Sequence, residues 1–128
     1  MLTSSKKNFY VLAGSIIAFL ILILIIPLSA GIPNSNFLMI VDYGDGHLRK
    51  FTGSSKAGVS AWDSLQQAAA HSYLQVDTTK DFYPKIIDSK ENGKDGKQWA
   101  LYINKKKISE SPINIKINGG DTIVWKFE

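Results

Sequence analysis

Gly58-Val-Ser-Ala-Trp-Asp-Ser-Leu-Gln-Gln-Ala-Ala-Ala-His-Ser72 decides the fold, because no other stretch after residue 36 reads convincingly as a helix. Ser60 and Asp63 have the S-x-x-D spacing of a capping box, in which each side chain serves the other's backbone N–H. Val59, Trp62, Leu65 and Ala69 recur at three- and four-residue intervals. The spacing predicts one apolar face laid on a sheet, with Trp62 its largest member, and fraying near His71-Ser72.

Strands are predicted on both sides of this helix. Before it, Phe37-Leu-Met-Ile-Val-Asp-Tyr43 places Phe37, Met39, Val41 and Tyr43 on one face. Gly44-Asp45-Gly46 is a tight turn, and His47 to Thr52 returns as the second arm of a hairpin. After it, Tyr73–Asp77 and Phe82–Ile87 read as short strands, the second confined to an edge or bend by Pro84. Asp88 to Lys97 is a polar loop. Gln98–Asn104 alternates with Trp99, Leu101 and Ile103 facing one way and Ala100 and Tyr102 the other. Ser111–Asn118 alternates more weakly through Ile113, Ile115 and Ile117. After the Gly119-Gly120-Asp121 turn, Thr122–Phe127 puts Ile123, Trp125 and Phe127 on one face. Hairpin, helix, further strands and a closing strand is the order of an α+β, β-grasp (ubiquitin-like) fold, one sheet around one helix. A right-handed crossover through the helix predicts the last strand parallel to the first, at the sheet centre.

Upstream, Tyr10–Leu28 reads YVLAGSIIAFLILILIIPL, without a charge. Roughly 20 apolar residues cross a bilayer as a helix, so residues 9–30 predict a single transmembrane anchor. A cleaved secretory signal is the alternative, but its apolar core is about 7–15 residues and its cleavage site prefers small residues. Here Leu28-Ser29-Ala30 offers Leu. Lys6 and Lys7 precede the span, while the first charges after it are Asp42 and Asp45. That asymmetry predicts a cytoplasmic tail (1–8), a single-pass anchor in the cell membrane, a tether (31–36) and an extracytoplasmic domain (37–128). Without cysteine the domain has no disulfide, which suits a prokaryotic envelope.

Lys6 and Lys7 account for two of the fifteen basic residues; the other thirteen against eleven acidic ones leave the domain at +2. That balance predicts no nucleic-acid partner. Lys105-Lys106-Lys107 reads as a solvated turn at a strand end, with anionic headgroups or an acidic partner as the alternative. No catalytic residue and no metal site is predicted. There is no cysteine, His47 and His71 stand far apart with no acidic residue in ligand spacing, and Lys90 and Trp99 occupy positions where a calcium loop needs oxygen ligands. The chain is read as not an enzyme.

The helix Val59-Ser-Ala-Trp-Asp-Ser-Leu-Gln-Gln-Ala68, the strand Trp99-Ala-Leu-Tyr-Ile-Asn104 and the ending Gly120-Asp-Thr-Ile-Val-Trp125 together resemble the transcobalamin C-terminal-like domain, over residues 37–128. Lys105 replaces the family's glycine after the asparagine, so the turn there must be made another way. The resemblance implies a cell-surface domain and places Trp99 on the strand that faces cobalamin in transcobalamin. Ligand contact is accordingly assigned to Trp99, Tyr102 and Asn104, with no cofactor expected. The function expected is a membrane-anchored, outward-facing, non-catalytic binding module for a protein, glycan or small ligand. The alternatives are a structural subunit of an envelope assembly, or a weak corrinoid (cobalamin) binder lacking the helical partner domain.

Overall fold

The computed structural model describes residues 35–56 and 58–128. The predicted tail, the anchor over residues 9–30 and most of the tether lie outside the described residues. Among the described residues, no helix is long and apolar enough to cross a membrane.

The elements run β1 (Asn36–Asp42), β2 (Leu48–Ser54), α1 (Ala61–Ser72), β3 (Val76–Thr78), β4 (Pro84–Ile87), β5 (Lys90–Glu91), β6 (Trp99–Ile103), β7 (Lys106–Ile108) and β8 (Thr122–Phe127). Five strands form one sheet in the order β2-β1-β8-β6-β7, and β3-β4-β5 form a second. β1 pairs antiparallel with β2 and parallel with β8, so the first and last strands adjoin at the sheet centre, as the crossover predicts. The result is a mixed α+β fold with one α-helix among the described residues.

Period-two alternation fills the core as expected. Phe37, Met39, Val41 and Tyr43 of the first hairpin are buried, as are Trp99 and Leu101 of β6 and Ile123, Trp125 and Phe127 of β8. Leu65 and Ala68 of α1 and Ile87 of β4 join the same cluster. At the β1–β2 turn, Gly44 has φ +71, and a Cβ there would lie 2.2 Å from the Phe127 carbonyl oxygen. Glycine is required at that point.

The helix starts where its capping box predicts. Ser60 Oγ accepts from the Asp63 N–H at 3.1 Å, and the Asp63 carboxylate accepts from the Ser60 N–H at 2.8 Å. Its buried face is turned from the one expected. Ala61, Ser64, Leu65 and Ala68 lie inside, while Trp62 is half-buried and stacks edge-to-face on Phe82 at 5.7 Å. Val59 precedes the N-cap and belongs to no helical row, so the periodic series begins at Ala61. Three small side chains in that row bring the backbone close to the sheet, leaving no room for an indole.

Five further expectations are corrected. Ser111–Asn118 is not a strand; Pro112 starts a 3₁₀ turn over Pro112–Asn114, and the segment becomes a strap. The Ile115 carbonyl accepts from Ala61 N–H (2.8 Å) and Ile117 N–H donates to the Val59 carbonyl (2.9 Å), fastening the start of α1. The strand expected at Tyr73–Asp77 lies at Val76–Thr78, because Tyr73 takes φ 55 to end the helix. Phe82, at φ 63, is a turn residue before β4. Within the polar loop, Lys90–Glu91 pairs with β4. Of the lysine run, Lys105 lies in a turn while Lys106 and Lys107 enter edge strand β7. That turn needs no glycine: Asn104 (φ 49) and Lys105 (φ 72) both take the left-handed conformation between paired Ile103 and Lys106.

Candidate functional site

β2 is the edge strand beside α1, and hydrogen-bond alternation fixes which groups it turns outward. The Leu38 N–H donates to the Asp121 carbonyl at 3.0 Å, away from β2. Its partner Thr52 therefore forms a non-hydrogen-bonded pair with it and points N–H and C=O to the free side. The same parity applies to Leu48, Lys50 and Ser54. At Ser54 the outward groups are occupied. Its N–H donates to Gln67 Oε1, and Gln67 Nε2 donates to its carbonyl, both at 3.4 Å. The Gln67 amide stands where one residue of a neighbouring strand would stand. Beyond it, among the described residues, no strand pairs with the outer side of β2.

A groove of about 570 Å³ runs between this edge and α1, with Phe37, Phe51 and Gly53 on the strand side and Gln67, Ala68 and His71 on the helix side. Gly53 makes it possible for Phe37 to lie there: a Cβ at Gly53 would fall 2.2 Å from Phe37 Cζ. Phe37 is itself only 2% exposed, so its ring has nowhere to go. His71 Nδ1 lies 2.8 Å from the Gln67 carbonyl, one helical turn back.

A polar clasp closes the other end of the groove. Arg49 donates to the Ser72 carbonyl near the end of α1 (2.7 Å) and pairs with Asp88 at 3.1 Å. Asp88 also accepts from the Tyr43 hydroxyl and from the Gln75 N–H. Burial opposes charge on Asp88, but hydrogen bonds from Tyr43, Gln75 and Arg49 outweigh it and hold the carboxyl below the usual range. Burial and the bond to Asp88 push Tyr43 up to about 12. Lys90 and Asp45 pair at 3.0 Å across the same corner. Every charge in this clasp is partnered, so it braces β2 against α1 and the small sheet and leaves no reactive group over.

The three residues assigned to ligand contact do not meet at one surface. Trp99 is 4% exposed, with its indole N–H donating to the Lys90 carbonyl at 2.9 Å and its ring tilted on Phe127 at 5.2 Å. It is a core residue, and a corrinoid would have no face of it to meet. Tyr102 lies on the opposite, open face of the sheet and donates to Glu128 at 2.7 Å. Asn104 is bound into its turn, donating to Asp121 (2.8 Å) and accepting from the Thr122 N–H (2.9 Å). Sequence reasoning passed over Gln67, Arg49 and Asp88. Gln67 sits one turn before His71, on the helix flank toward β2, and only the strand order places it at an edge.

No family model matches the chain, and no curated protein matches it. The fold is shared with a solved protein. A crystal structure from Ruminococcus gnavus ATCC 29149, described as a "putative metal binding protein", matches with a TM-score of 0.57 at 9% identity, covering 73% of this chain and 96% of that one. At that identity the likeness is one of fold.

Proposed function

We propose that this chain is a membrane-anchored, outward-facing, non-catalytic binding module of β-grasp type that takes up an extended peptide by strand addition at β2. The observation that carries this reading is the pairing of the Gln67 amide with both backbone groups of Ser54, beside outward-facing groups at Thr52, Lys50 and Leu48. Strand addition draws affinity from main-chain hydrogen bonds and specificity from alternate side chains entering a pocket. The groove lined by Phe51 and Ala68 supplies such a pocket. The anchor, the orientation and the transcobalamin-like kinship rest on sequence alone. Metal binding, named for the Ruminococcus gnavus protein, is not carried over: among the described residues no three His, Cys, Asp or Glu side chains gather as ligands.

The test uses the full-length chain in detergent, probed with a library of extended peptides. Thr52→Pro removes one outward N–H without touching the β1–β2 ladder, which an edge position tolerates. Capture should fall at least tenfold while the melting curve stays in place. Equal capture by the variant would dismiss strand addition.

A further inference from the structure

The end of the domain that receives the tether is fixed by hydrogen bonds. The Ser35 carbonyl accepts from the Ser55 N–H (2.6 Å) and hydroxyl (2.8 Å), and the Asn36 carbonyl accepts from the Gly120 N–H (2.8 Å). β1 and β8 start at this end, and β2 and β6 finish there, as the pairings Leu38↔Thr122, Asn36↔Ser54 and Ile103↔Ile123 require. The chain therefore gathers Lys56, Lys105, Lys106 and Lys116 here, all exposed. None of the four enters an ion pair among the described residues, and the same holds for Lys50, Lys80, Lys94 and Lys97 elsewhere, so what marks this end is that four such lysines converge on it.

The carboxylates at this end are already engaged. Asp63 accepts from the Ser60 N–H and hydroxyl, and Asp121 accepts from Asn104 and from the Asn118 N–H. Four unpaired cations thus share one end, two of them following each other where the β6–β7 turn enters its edge strand.

We propose that this lysine-bearing end rests on the anionic headgroups of the leaflet in which the chain is anchored. The inference depends on the anchor reading. Residues 31–35 can span at most about 18 Å between the predicted helix and the domain. That is comparable with the distance over which a charged lipid surface acts, about 8–10 Å at physiological salt, added to the reach of a lysine side chain. Charge sign calls for an anionic surface, and the short tether selects the leaflet over an acidic protein, because the leaflet stays within reach of this end wherever the chain is anchored. Docking there leaves the β2 edge free along the side of the domain.

The chain has no cysteine, so Gly119→Cys at the tether end and Asp95→Cys at the far end each give one labelling site. Full-length protein is placed in vesicles of zwitterionic lipid, or with a third of the lipid replaced by phosphatidylglycerol, each carrying a headgroup-attached quencher. The label at 119 should be quenched severalfold more in anionic vesicles, with high salt or the Lys56→Gln/Lys105→Asn/Lys106→Gln variant erasing the difference; the label at 95 should not respond. Equal quenching at 119 in both lipids, from protein that survives a carbonate wash, overturns the docking and leaves the anchor standing. Protein stripped by the wash overturns both. Quenching that follows the lysines but persists in zwitterionic lipid assigns them to another partner and also overturns the proposal.

Discussion

The two edges of the main sheet are built on opposite plans. β7 is three residues long and carries Lys106 and Lys107, with Lys107 held by Glu128 at 2.8 Å. Short length and lysines are the devices by which proteins prevent a sheet edge from recruiting another strand. β2 is seven residues long, carries a single lysine among its outward positions, and borders a groove instead of bulk solvent. Its only described occupant is one side-chain amide at one end. An edge defended on one side and left open on the other indicates where pairing is tolerated.

The contrast can be broken at the open edge first. Leu65 is fully buried and holds α1, the far wall of the groove, to the sheet. Leu65→Ala should cost about 2–5 kcal/mol in chemical denaturation. A loss below 1 kcal/mol would mean that the strap through Ile115 and Ile117, and not this side chain, secures the helix. Gly53→Ala should cost about 1–3 kcal/mol through collision with Phe37. It should also weaken peptide capture, whereas a neutral substitution would show that the floor of the groove yields.

The clasp at the far end gives a pH signature. Asp88 is held below its unfolded value of about 3.9, so its stabilisation is complete above that pH and fades as pH falls through the folded value. Asp88→Asn should therefore lower stability at neutral pH by about 1–2 kcal/mol, allowing for its partial exposure. It should also flatten the loss of stability on going below pH 4. An acid limb unchanged from the native protein would remove Asp88 from the account.

The smallest effect belongs to the defended edge. Lys105 holds a left-handed conformation that favours glycine, so Lys105→Gly should stabilise by about 0.5–1 kcal/mol. Destabilisation there would reveal a contact made by the lysine side chain.

Much of the fold was legible because its signals are local. The capping box at Ser60, the glycine turn after Tyr43 and the alternation through β1, β6 and β8 each announce themselves within a few residues, and together they order the sheet. Ser111–Asn118 misled because Ile113, Ile115 and Ile117 alternate like a strand, while Pro112 and the free groups at the start of α1 claim the backbone for a strap. The helix face was turned by counting Val59, which precedes the N-cap. The candidate site was nearly invisible. Gln67, Arg49, Tyr43 and Asp88 lie up to forty-five positions apart, and only closure of the sheet brings them to the two ends of one groove. Trp99 drew attention as an aromatic on an alternating strand, and alternation alone does not say which side faces the core.

The amide of Gln67 also acts as a doorstop. A segment added along β2 would meet that carboxamide at one limit and the Gly44–Gly46 bend at the other. Between those limits a paired strand would find the outward groups of Leu48, Lys50 and Thr52. Recognition there would be short, discriminating motifs by which alternate side chains fall into the groove and not by their length.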